Sequence, residues 1–106
     1  MKKDIREQVL IRDFYTCQRC EATPGPQHLQ IAHRIANTVE ALDMLEKIFP
    51  DRSRRWLQDN ILDHPLNLAT TCSLSCNSSF NILKKPEAVA VVIDKIMSEL
   101  SGTNKL

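Results

Sequence analysis

The sequence predicts a small α+β domain, and three observations predict it. Apolar residues keep helical spacing near both ends, a stretch near the middle alternates, and four cysteines fall in two close pairs. At 106 residues the length suits one domain, read as residues 1–106, with a core small enough to need a staple. Apolar residues make up 42% and charged residues 25%, the balance of a folded chain rather than a disordered one. The net charge of +1 supplies no global field for nucleic acid, so any such partner must be met by local patches.

The elements follow in order. "DIREQVLIRDF" carries Ile5, Val9 and Phe14 among charges and predicts an amphipathic helix over residues 4–14. "CEATPGPQ" is a turn, with two prolines and a glycine. "HLQIAHRI" alternates Leu29, Ile31 and His33 against His28, Gln30 and Ala32, the period of a strand. Asn37 or Thr38 can cap a helix over "VEALDMLEKIF", with Val39, Leu42, Leu45 and Phe49 on one face. Pro50 stops it, and Asp51 or Ser53 can start another through Trp56, Leu57 and Ile61. "DHPLNLATTC" predicts a turn and a short strand, and "NSSFNILKK" one or two helical turns. Pro86, Glu87 and Gly102 bracket a final helix, about 86–101, whose stripe is Val89, Val92, Ile93, Ile96 and Leu100. That stripe suits core packing, and part of it could serve a homodimer.

Cys17-Gln-Arg-Cys20 and Cys72-Ser-Leu-Ser-Cys76 are two knuckle-like pairs. Each loop aims two thiolates at one point, and two loops complete a sulfur tetrahedron around Zn²⁺. The rival readings are a redox C-x-x-C, which lacks a surrounding βαβ pattern, and four unconnected thiols. A structural zinc would join segments far apart in sequence and add folding free energy. Saturated by four cysteines, it offers no position to a substrate.

With the cysteines placed, "VLIRDFYTCQRC", "QIAHRI" and "LNLATTCSLSCN" together resemble the HNH endonuclease family, in its subgroup with a four-cysteine zinc site. The resemblance runs from about Val9 to Asn81. It implies a ββα-metal (His-Me finger) fold over a core of about residues 9–85, with flanking helices and a helical insertion. It also implies hydrolysis of DNA phosphodiesters with a catalytic Mg²⁺ or Mn²⁺. His33 matches the general base, Asn67 the residue that braces the loop between the strands, and Asn77 the metal-binding third letter, an H-N-N variant. Asn81, four residues after Asn77, is a second candidate ligand by helical spacing. The chemistry suits the residue types: a neutral imidazole can take a proton from water near neutral pH.

One position departs from the family's pattern. Many members carry an acidic or histidine ligand immediately before the base, and here the residue is Ala32. His28, Asp63 and His64 are candidate substitutes. The alternative function is therefore a degenerate HNH domain that binds nucleic acid without cutting it, and a third is an adaptor for a protein partner. The plain readings of the single residues are a packed His33, a turn-forming Asn67 and a helix-capping Asn77. Arg34, Arg54 and Arg55 are candidate phosphate contacts, set against a solvated helical face for the latter two. No stretch reaches the roughly 18 apolar residues of a membrane span, and no apolar signal core opens the chain. The expected location is the cytoplasm, where four cysteines favour metal over disulfides.

Overall fold

The computed structural model describes residues 1–102. Its first helix, α1 (Lys3–Arg12), buries Val9 and Leu10. It stops short of Phe14, which the sequence places on the helix. Phe14 and Tyr15 take φ of 56° and 51°. The Phe14 N–H donates to Ile11 O (3.0 Å) and the Tyr15 N–H to Leu10 O (2.8 Å). This pair of bonds closes a Schellman-type end, with Phe14 where glycine usually stands. Phe14 is consequently 84% exposed.

Strands β1 (Gln30–His33) and β2 (Leu68–Thr71) form a two-stranded antiparallel sheet pairing Gln30 with Thr71 and His33 with Leu68. His28 lies outside it, in a 3-10 turn at Pro26–His28. The predicted face of Leu29, Ile31 and His33 is therefore split. Leu29 is buried ahead of the strand, Ala32 is its buried member, and Ile31 and His33 are half-buried. All four β2 residues are buried, because the outer edge of β2 is also occupied. There the Thr70 N–H donates to Asp13 Oδ2 (2.9 Å), and the Gln18 N–H donates to Thr70 O (2.8 Å). Arg12 completes that edge by donating to Pro65 O and Leu68 O (2.8 and 2.7 Å). Burial raises the Asp13 carboxyl, but its bonds from Arg12 and Thr70 outweigh that and hold it below the usual value.

Between the strands lie α2 (Val39–Ile48) and α3 (Arg54–Leu57), and α3 runs on as a π-helical turn over Gln58–Leu62. Thr38, of the two predicted caps, accepts from the Ala41 N–H (3.1 Å), and Ser53 from the Trp56 N–H (3.1 Å). A 3-10 turn, Pro65–Asn67, leads into β2. Helix α4 (Leu74–Ser78) follows, capped by Ser73, and α5 (Pro86–Leu100) ends the fold. The main apolar core joins Ile35, the insertion residues Ala41, Leu45, Leu57, Ile61 and Leu62, and Val89 and Ile96 of α5. The insertion thus builds the core rather than decorating it. Val39 and Leu100, predicted on apolar faces, are 68% and 43% exposed. In α2 the apolar face instead runs through Ala41 and Leu45, with Leu42, Met44 and Phe49 packed beside it.

Candidate metal centre and strand-end histidine

The two cysteine pairs converge. The first loop follows the end of α1 and is pinned to β2 through Gln18. The second leaves β2 directly and enters α4. All four Sγ atoms of Cys17, Cys20, Cys72 and Cys76 lie within 4.8 Å of one another. Cys20 and Cys72 approach to 3.3 Å, and Cys72 and Cys76 to 3.9 Å. A tetrahedron with Zn–S bonds of about 2.3 Å has edges near 3.8 Å, so the cluster is compatible with a structural metal such as zinc.

The electrostatics point the same way. Burial raises the Cys17 thiol, but the N–H groups of Cys20 and Arg19, with lesser bonds from the Cys20 thiol and the Cys72 N–H, lower it to about 6. The Cys72 thiol is pushed up to about 12, first by its contact with Cys20 and then by burial and by Cys17. Four crowded thiols cannot all ionise alone, and a cation among them removes that conflict.

A second constellation lies at the end of β1. The half-buried His33 places Nε2 2.9 Å from Oδ1 of Asp63, a buried residue just past the π turn. The other oxygen of Asp63 is 4.0 Å from the α-amino group of Met1. Asn67 is fully buried, and its side chain makes three bonds to backbone. Its Oδ1 accepts from the Ile35 N–H (2.8 Å), and its Nδ2 donates to Leu62 O (2.8 Å) and Ile35 O (3.2 Å). One amide therefore ties the chain two residues after His33 to the chain one residue before Asp63.

The remaining predicted residues are dispersed. Asn77 does sit on α4, but its Nδ2 donates to Gln30 Oε1 (3.3 Å) and to Ile31 O (3.5 Å) rather than meeting His33. Asn81 lies beyond α4, so the shared helical face expected of Asn77 and Asn81 does not form. Its Oδ1 instead accepts from the Leu83 N–H (2.9 Å). Ala32 is fully buried. His64 caps the Pro65–Asn67 turn through Nδ1 and lies 3.6 Å from Glu99. Burial pushes its imidazole below the usual value, against the pull of Glu99. Among the described residues, the four cysteines form the one group of three or more His, Cys, Asp or Glu able to share an ion. The neutral pair Asn77 and Asn81 does not fit a dedicated Mg²⁺ site, which favours anionic oxygen.

Of the arginines, Arg54 is committed to Asp43 and Glu46, and Arg55 pairs with Asp59 at 3.5 Å. Arg54 thus ties α3 to α2, and Arg55 lies on an exposed face beside Asp59, which is the solvated-face reading. Arg34 differs: its guanidinium lies over Phe80, 5.2 Å from the ring centroid. It lines a cleft of about 560 Å³ together with Arg12, Lys95, Leu68, Ile82 and Val92.

Sequence reasoning named Asp63 only as a substitute metal ligand and missed it as the partner of His33. The two are 30 residues apart, and no local pattern links them. Gln30, the partner of Asn77, gave no signal beyond its place in the strand. Among the described residues, no helix is long and apolar enough to cross a membrane. Comparison with protein-family models, with curated proteins and with solved structures gives no match for this chain.

Proposed function

We propose that this chain is a zinc-stapled endonuclease of the HNH type that hydrolyses DNA phosphodiester bonds, with His33 as its general base. The observation that carries the reading is the setting of His33. Its ring stands at a strand end, half-buried and bonded to Asp63, while Asn67 ties together the two segments that bear them. A base needs such a fixed ring, since a proton must be taken along one direction from water attacking phosphorus. The cysteines hold Zn²⁺ away from this chemistry, saturating it and locking β2 to α4. Arg34 and Lys95 supply positive charge beside an apolar cleft and are the better phosphate contacts, since Arg54 and Arg55 already have acidic partners. Because the described residues form no acidic cage, any Mg²⁺ or Mn²⁺ is expected to arrive with the DNA phosphate.

The test is nicking of supercoiled plasmid by the purified protein with Mg²⁺ or Mn²⁺. His33→Ala should abolish nicking while the zinc content stays at one ion per chain. Equal nicking by the variant overturns the assignment.

A second reading, binding without cleavage, is favoured by one specific observation. The position that bears a metal ligand in many family members is the buried methyl of Ala32. It predicts DNA retention that weakens with salt and no cleavage under any divalent ion.

A further inference from the structure

We infer that Asp63 is a positioning residue that holds His33 in a single tautomer, with the proton on Nε2 and the lone pair on Nδ1. Its part in cleavage rests on the nuclease reading above, whereas the tautomer itself does not.

An ionised carboxylate only accepts, so a 2.9 Å contact between His33 Nε2 and Asp63 Oδ1 requires the ring proton to sit on Nε2. In a neutral ring Nδ1 is then the bare nitrogen, the atom able to take a proton. Solvent competes weakly for this bond, because the two side chains are 15% and 9% exposed.

The backbone on both sides is also held. The Asp63 N–H donates to Gln58 O at 2.9 Å, closing the π turn beneath it. The Arg34 N–H donates to Asn67 O at 2.8 Å, fixing the strand just after His33. The Asn67 side chain spans Leu62 and Ile35. The insertion is thus more than core filling: its last turn delivers the carboxylate to the histidine, and Asn67 fixes the spacing of the two segments.

During proton abstraction the bookkeeping is simple. Nδ1 gains the proton that water loses, the hydroxide oxygen forms the new bond to phosphorus, and the departing sugar oxygen leaves with the electrons of the broken bond. The ring becomes an imidazolium, and the Asp63 carboxylate lies against the Nε2–H of that cation, where it lowers the cost of forming it.

The experiment is NMR of the full-length, zinc-loaded, ¹⁵N-labelled chain without DNA or Mg²⁺. A His33→Gln variant picks out the His33 ring signals from those of His28 and His64. Wild type should show a ring proton on Nε2 sheltered from water exchange, with Nδ1 unprotonated. Asp63→Ala should lose that proton to exchange. Asp63→Asn, which is nearly isosteric and preserves the fold if alanine does not, should move the ring nitrogens toward a tautomer mixture, because a carboxamide donates as well as accepts. A wild-type ring protonated on Nδ1, or ring signals unchanged in both Asp63 variants, overturns the inference.

A second readout separates positioning from substrate binding. Asp63→Asn should lower kcat for plasmid nicking about 10-fold or more and leave KM for DNA within about 2-fold. A change in KM alone refutes the positioning role. If wild type cuts no DNA, the nuclease reading falls, and the ring proton still decides the tautomer.

Discussion

Asn67 shows how much a single side chain carries here. It is fully buried, and its carboxamide joins three backbone groups that have few alternatives: the N–H and C=O of Ile35 and the C=O of Leu62. Truncation would leave these groups buried and unpaired, at about 1–3 kcal/mol each before relaxation or water entry. Asn67→Ala is therefore expected to cost about 3 kcal/mol in urea-induced unfolding, with the m-value unchanged. Asn67→Asp keeps the acceptor for Ile35 N–H but sets a charged oxygen against Leu62 O, so it should be no milder. A loss under about 1 kcal/mol for the alanine variant would show that the brace is dispensable. From the sequence, Asn67 after a proline reads equally well as a turn residue. The partners that make it more than that lie 5 and 32 residues away.

At the scale of elements, the starts of α2 and α3 are set locally, and there sequence reading succeeds; the start of α4 at Leu74, capped by Ser73, lies ahead of the turns expected over residues 77–85. Thr38 and Ser53 each accept a bond from the N–H three residues on, as a side-chain oxygen at that position should. Ser53→Ala is expected to cost about 1 kcal/mol, read as a lower denaturation midpoint, with Ser53→Asp close to wild type. α3 depends on this cap more than α2 does, because only four residues are α-helical before the π turn begins. What the sequence did not disclose is of two kinds: partners far along the chain, as Asp63 is for His33, and element ends that no residue type announces. α1 ends early because its last carbonyls are taken by the N–H groups of Phe14 and Tyr15, a geometry that an aromatic residue does not advertise. Alternation separates Leu29, Ile31 and His33 from Gln30 and Ala32 but does not say which set is buried; within the paired residues it is Ala32. The helical spacing of Asn77 and Asn81 does not become a shared face, because α4 stops at Ser78 and nothing local announces that end. The cysteine pairs were legible because two short loops with matched ligands constrain each other wherever they lie in the chain.

At the scale of the whole molecule, the stabilising parts are two and are spatially divided. The apolar cluster of Ile35, α2, α3, the π turn and α5 contains no residue of the first cysteine loop, of β2 or of α4. Those segments are held instead by the cysteines, the Asp13 and Gln18 bonds to Thr70, and the short sheet. Metal removal should therefore act unevenly. With free Zn²⁺ at about 100 times its dissociation constant, chelation in reducing buffer is expected to cost about 3 kcal/mol, which for a chain of this size lowers the melting temperature by about 15 °C. Amide exchange should speed up most at Gln30–His33, Leu68–Thr71 and Leu74–Ser78, and least at Leu45, Ile61 and Ile96. Much of the helical far-ultraviolet signal should survive, since α2 and α5 pack against the part of the molecule that needs no ion. Adding Zn²⁺ should restore both readouts. Cys20→Ser should melt low from the outset and respond little to the chelator, because one of its four sulfurs is gone. Acid should mimic chelation, because each proton returned to a thiolate competes with the ion. A chain that melts at one temperature with or without chelator, and exchanges uniformly in both states, would mean that the four sulfurs staple nothing.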